Sequence, residues 1–130
     1  MSCNANVPSK IQGTWFYYDY NENLYNELSF YENNLYISTQ HLGTEEWLYT
    51  INKDYLTIYS VDYEDTIVYK YIITENKIII TNKQRHETLI KSITQIKEND
   101  YQTYTIEQLL NFETKFWNRM KVNLKLLEND

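Results

Sequence analysis

A hairpin pattern occurs twice in this chain, and it restricts the fold more than any other feature. Tyr49-Thr-Ile51-Asn-Lys-Asp54-Tyr-Leu56-Thr-Ile58 recurs downstream as Tyr71-Ile-Ile73-Thr-Glu-Asn76-Lys-Ile78-Ile-Ile80. Each copy sets two apolar residues at period two, a polar turn centred on Asp or Asn, and two more apolar residues at period two. A strand alternates its side chains between faces, so the pattern describes two strands that share one buried face and a tight reversal. Short connections favour neighbours in sequence, which selects an antiparallel meander over a Greek key.

The same alternation extends to both sides of the pair. Strand one is expected over Thr14-Trp15-Phe16-Tyr17-Tyr18, strand two over Leu24 to Tyr31, strand three over Leu35 to Thr39, and strand four over Glu46 to Ile51. Strand five runs Tyr55 to Val61, strand six Thr66 to Ile73, strand seven Lys77 to Thr81, and strand eight Glu87 to Ile96. Eight short strands with regular turn signals describe a mainly β chain, an up-and-down barrel or a sandwich. With 2 Gly and 1 Pro in 130 residues, turn duty falls on Asn and Asp, which tolerate left-handed backbone.

The period changes after Asp100. Thr105-Ile-Glu-Gln108 reads as a capping box, and apolar residues then recur at 106, 109, 110, 116, 117 and 120, which is helical spacing. The helix either continues through Leu124 and Leu127 or yields to a short strand at Val122, Leu124 and Leu126, whose spacing is two. Ile72 and Ile79 lie out of phase with the inward sets Tyr71/Ile73 and Ile78/Ile80. They are therefore outward apolar positions, and an outer helix using Phe116, Trp117 and Met120 is expected to cover them. The expected organisation is a flexible tether over residues 1–10, a barrel over 11–100, and a C-terminal helix packed on it over 101–130.

Charge and composition exclude several functions. Lys and Arg number 12 against 18 Asp and Glu, a net charge of −6, which repels nucleic-acid phosphates. No apolar run approaches the roughly 18 residues of a membrane-spanning helix. So few glycines leave no glycine-rich phosphate loop, and no serine sits in a nucleophile elbow. His41 and His86 stand apart, too few with the single Cys3 to assemble a catalytic zinc set, and they read as solvated surface groups. Asp62, Glu64 and Asp65 form an acidic turn without the glycine and distal Glu of a calcium loop, and read as a hydrated turn. No cofactor, metal site or enzymatic activity is expected.

Gly13-Thr14-Trp15 at the head of an eight-stranded meander, with a helix near the C-terminus, resembles the lipocalin pattern. More closely, the chain resembles small bacterial lipocalin-like domains, in which the opening strand reads Gly-Thr-Trp, a Phe closes strand two (here Phe30), and hairpins read Tyr-x-Ile-x-x-Asn/Asp-x-Leu-x-Ile. The resemblance covers about residues 11–96. It implies that Trp15 faces inward, and that a basic residue packs over it, for which Lys91 and Arg119 are the candidates. With 14 Tyr and 3 Trp in the chain, the implied interior wall is aromatic: Trp47, Tyr49, Phe30, Tyr69 and Tyr71, with Trp15 closing the floor. An eight-stranded barrel is just wide enough to be filled by side chains or to hold one small ligand. The function expected is non-catalytic binding of a small, partly apolar ligand. The alternative is a structural or protein-interaction module with a filled core.

Cys3 follows Ser2 and precedes a polar stretch, as at the mature start of a bacterial lipoprotein. On that reading Met1 replaces a removed signal, Cys3 is lipidated, and the protein sits at the bacterial envelope. On the other reading the protein is cytoplasmic and the thiol is idle.

Overall fold

The computed structural model describes residues 9–62 and 64–128, so Cys3, most of the expected tether and Tyr63 lie outside the described residues. Eight antiparallel strands follow in order: β1 (Gly13–Asp19), β2 (Leu24–Tyr31), β3 (Asn34–Thr39), β4 (Gly43–Ile51), β5 (Tyr55–Ser60), β6 (Thr66–Ile73), β7 (Lys77–Thr81) and β8 (His86–Lys91). Each pairs with its neighbour in sequence, and β1 pairs with β8 to close the barrel. The architecture is consistent with a lipocalin-like barrel.

Both repeated hairpins form in the expected register. Tyr49 faces Ile58 and Ile51 faces Leu56 in the first, and Tyr71 faces Ile80 and Ile73 faces Ile78 in the second. Asn side chains build the turn of the first of these hairpins and that of the β7–β8 hairpin, whereas the second repeat is closed by the Thr74 amide donating to the Lys77 carbonyl at 2.8 Å. Asn52 Oδ1 accepts the amides of Asp54 and Tyr55 at 2.9 and 2.8 Å, and Asn82 Oδ1 accepts those of Gln84 and Arg85, both at 2.9 Å. These side-chain bonds stand in for the backbone reversal that glycine would otherwise permit. Gly13 has a φ of 114°, which a side chain would oppose, so the glycine of the Gly-Thr-Trp head is needed for its backbone.

Inward positions make one core. Trp15, Phe30, Leu35, Leu56, Ile78 and Leu89 are fully buried within it. Trp15 is held at the floor, where its Nε1 donates to the Ile11 carbonyl at 2.9 Å. Ile11 lies in a short 3-10 turn, Ser9–Ile11, that leads into β1. Lys91 answers the search for a basic partner: its Nζ lies 5.7 Å from the centre of the Trp15 ring. Across the strand pair Trp15 faces Lys91, which explains why this lysine reaches the indole.

Two features depart from the sequence expectation. Strand eight ends at Lys91 and does not reach Ile96. Beyond it, Ser92 Oγ donates to the Thr94 carbonyl at 2.8 Å and Gln95 Nε2 to the Ser92 carbonyl at 2.7 Å. Such local bonds compete with a strand ladder and turn the chain. Secondly, β2 is buried along both faces from Tyr25 to Phe30. On its outward side Tyr25 Oη donates to Glu27 Oε2 at 2.7 Å, and the Thr14 and Ser29 hydroxyls of β1 and β2 meet at 3.0 Å. Hydrogen bonding among these groups offsets the cost of removing them from water.

The chain divides between Lys91 and Ser92 into two compact units. In the second, a 3-10 turn (Glu98–Tyr101) precedes one long helix, α1 (Ile106–Glu128). The capping box is present in full: the Gln108 amide donates to Thr105 Oγ1 at 3.1 Å, and Gln108 Oε1 accepts the Thr105 amide at 3.0 Å. The helix runs unbroken past Val122, Leu124 and Leu126, so the short-strand alternative is not adopted. Phe116, Met120 and Asn123 form a buried stripe at helical spacing, with Arg119 beside them, whereas Trp117 is partly exposed. Asn123 Nδ2 donates to Ser92 Oγ at 2.9 Å and ties the helix to the start of its own unit.

Candidate functional site

Register and strand direction sort the inward side chains into levels. The turns after β2, β4 and β6 lie at the end where Trp15 sits, and the turns after β1, β3, β5 and β7 ring the opposite end, the mouth. Of the six expected wall residues, Trp15, Phe30, Tyr49 and Tyr71 belong to the floor half, while Trp47 and Tyr69 belong to the mouth half.

The floor half is occupied by its own side chains. The Phe30 and Tyr49 rings meet edge-on with centres 5.0 Å apart. Gln12 Nε2 donates to Tyr49 Oη at 2.7 Å while its Oε1 accepts the Glu32 amide at 2.8 Å, so one glutamine ties the entry to β1, the β2–β3 turn and the interior together. Burial pushes the Tyr49 phenol up to about 12, with the Gln12 bond acting in the opposite direction. Tyr71 Oη donates to the Asn52 carbonyl at 2.7 Å, which fixes it to the β4–β5 turn. Trp15, Phe30 and Tyr49 are therefore packing residues of the floor, with no more than 1% of any of them exposed.

Toward the mouth, Ile37, Trp47 and Ile67 point inward and are half-buried against the core, as Ile51, Tyr71 and Ile73 are toward the floor. The Trp47 Nε1–H is itself buried and has no hydrogen-bond partner among the described residues. A buried donor left unpaired costs about 1–3 kcal/mol. Trp47 lies on the strand that faces β8 across an eight-stranded barrel.

On the β8 side of the mouth stands a polar group that the sequence does not bring together: Tyr17, Asp19, Arg85 and Glu87. Arg85 Nη1 donates to Tyr17 Oη at 3.0 Å, and its Nη2 lies 3.7 Å from Asp19 Oδ2. Burial raises the Tyr17 phenol, and the Arg85 charge and hydrogen bond oppose that rise. Tyr69 is also raised by burial, with Arg85 lowering and Glu87 raising it. Glu87 is held above the usual carboxylate range by burial, with Arg85 opposing and the Asp19 charge adding to the shift.

These groups gather because the seam is short. β1 and β8 pair only at Trp15–Lys91 and Phe16–Ile90, whereas β1 and β2 pair along the whole of β1. Past Phe16 the two strands part, and Arg85 reaches across the split. Nothing local in the sequence marks this. The one available signal was phase: Tyr17 shares the inward parity of Trp15, and Glu87 that of Leu89.

The remaining candidates are peripheral. His86 Nδ1 lies 3.1 Å from the Thr81 hydroxyl on the β7–β8 hairpin, and His41 occupies a loop with a φ of 70°. In the acidic turn, Asp62 Oδ1 accepts the Ser60 hydroxyl at 2.6 Å and the Glu64 amide at 3.1 Å, bonds that hold its carboxyl below the usual range. Its side chain is thus engaged in building the turn. On the outer wall, Tyr55, Lys70, Ile72 and Ile79 line a shallow groove of about 490 Å³, and Ile72 is 64% exposed there. No protein-family model matches this chain, and neither a curated protein nor a solved structure matches it.

Proposed function

We propose that this barrel is a non-catalytic, lipocalin-like binding protein that takes a small, partly apolar ligand at its mouth. The observation that carries the reading is the inward, half-buried Trp47 indole in the same half as Ile37 and Ile67, its N–H unpartnered among the described residues. A site of this type combines an apolar wall with a few polar groups that orient the ligand. The filled floor limits the ligand to a short body lodged above Tyr49 and Phe30. Nothing in the arrangement calls for chemistry on that ligand, since the mouth offers hydrogen bonds and contact area.

Titration with a panel of small hydrophobic molecules tests this by tryptophan emission. Trp47 is expected to be quenched on binding, and Trp47→Phe to remove the ligand-dependent change while the Trp15 and Trp117 signals remain. A panel without effect on the intact protein would overturn the reading.

A second reading, an interaction module, is favoured by the filled floor and by the exposed Ile72 groove. It requires a partner whose binding is lost on Ile72→Glu and unaffected by Trp47→Phe. The proposal also includes lipid attachment at Cys3 and residence at a bacterial envelope, supported by the Ser2-Cys3 pair and the polar stretch after it. Mass spectrometry of the protein from its native host is expected to show an acylated Cys3.

A further inference from the structure

We infer that the ligand is a small apolar monocarboxylate, its carboxylate held at the β1–β8 seam by Arg85 and Tyr17. The inference rests on the mouth-binding reading and adds the chemical class.

Arg85 is placed by its turn, since Asn82 Oδ1 accepts its amide at 2.9 Å. From there the side chain crosses the seam, 45% exposed, and among the described residues makes one hydrogen bond, to Tyr17 Oη at 3.0 Å. Asp19 does not complete the pairing. Its Oδ1 accepts the amides of Asn21 and Glu22 at 3.0 and 3.1 Å, so the β1–β2 turn sets where this carboxylate sits. Its other oxygen is left 3.7 Å from Nη2, outside the roughly 2.7–2.9 Å of a charge-assisted hydrogen bond. A guanidinium carries five donors in a planar fork that matches a carboxylate, and most of this fork is uncommitted. Tyr17, which accepts from Arg85, keeps its own proton to donate to the same group.

The surroundings narrow the class. Ile37, Trp47 and Ile67 offer an apolar wall, which calls for an apolar body. Asp19 and Glu87 flank Arg85, so a dianionic phosphate meets more repulsion than a carboxylate does. An ammonium at the Arg85 fork meets a like charge while Asp19 and Glu87 draw it in, and octylamine tests that balance. Glu87, already raised by burial, is the neighbour that most readily gives up its charge when a third carboxylate arrives.

The experiment uses the full chain, tryptophan emission and calorimetry, with octanoate, phenylacetate, their methyl esters, octylamine and octyl phosphate as probes. The two acids are expected to bind, with the esters, the amine and the phosphate each weaker by about tenfold or more. Arg85→Gln is expected to weaken the acids about tenfold and leave the esters unchanged. Asp19→Asn preserves the turn acceptor and removes a competing charge, so it is expected to tighten the acids by a few fold, a gain that misfolding cannot produce. Esters that bind as well as acids, with Arg85→Gln altering neither, would overturn the carboxylate class and leave mouth binding in place. A preference for octyl phosphate or octylamine would do the same. Silence from every probe would overturn both.

Discussion

Tyr49 carries the clearest consequence at the scale of a single residue. Its phenol is raised from an ordinary 10.0 to about 12 by burial, so the folded barrel favours the neutral form. The stability this represents is fully present below pH 10 and is lost as pH rises from 10 through 12. Its size is on the order of 2 kcal/mol. Urea midpoints measured at pH 9 and pH 11.5 are expected to differ for the native chain, and the difference to shrink in Tyr49→Phe. That variant also loses the Gln12 bond and is expected to be about 1 kcal/mol less stable at pH 9. Trp15 and Tyr49 were legible as interior residues because parity along a strand is a local property. The mouth group was not. Tyr17 and Arg85 are brought together across the closure of the barrel, and no short window of sequence contains both.

Among the elements, those with a self-contained code were read almost to the residue. The two repeated hairpins kept their register, and the capping box on α1 formed as written. Thr105→Ala is expected to lower stability by about 0.5–2 kcal/mol and to speed exchange of the Gln108 amide, as read by hydrogen exchange. The sequence predicts β8 too long because no glycine or proline interrupts residues 92–96, while the bonds that stop it belong to Ser92 and Gln95. In β2 the polar Tyr25, Glu27 and Ser29 are buried as fully as the inward residues, which alternation along the strand does not signal. Glu32, in the two-residue link between β2 and β3, has a φ of 53°, a left-handed conformation it shares with Asn23 and His41. Glu32→Asn, a residue that visits this region more readily, is expected to raise the melting temperature by about a degree or two.

For the molecule as a whole, the decisive feature is the unequal strength of its strand contacts. Seven neighbouring pairs run continuously, and the eighth contact, β1 with β8, holds at two register positions. Amides of Tyr17–Asp19 and Glu87–Leu89 that point across this seam are expected to exchange faster than those between β2 and β3, and Lys91→Met to widen the gap by removing the cation over Trp15. The sequence indicated eight strands in order but carried no mark of where the ring would be weakest, because closure joins its two ends.

That weak joint also affects how the chain is made. β1 leaves the ribosome first and its closing partner last, so until Lys91 has emerged the nascent meander carries a bare edge at Trp15 and Phe16. Such an edge is a template for stray pairing with other chains. Crowding by co-translated copies should therefore threaten this protein most in the interval before its eighth strand appears, and far less once the ring is shut.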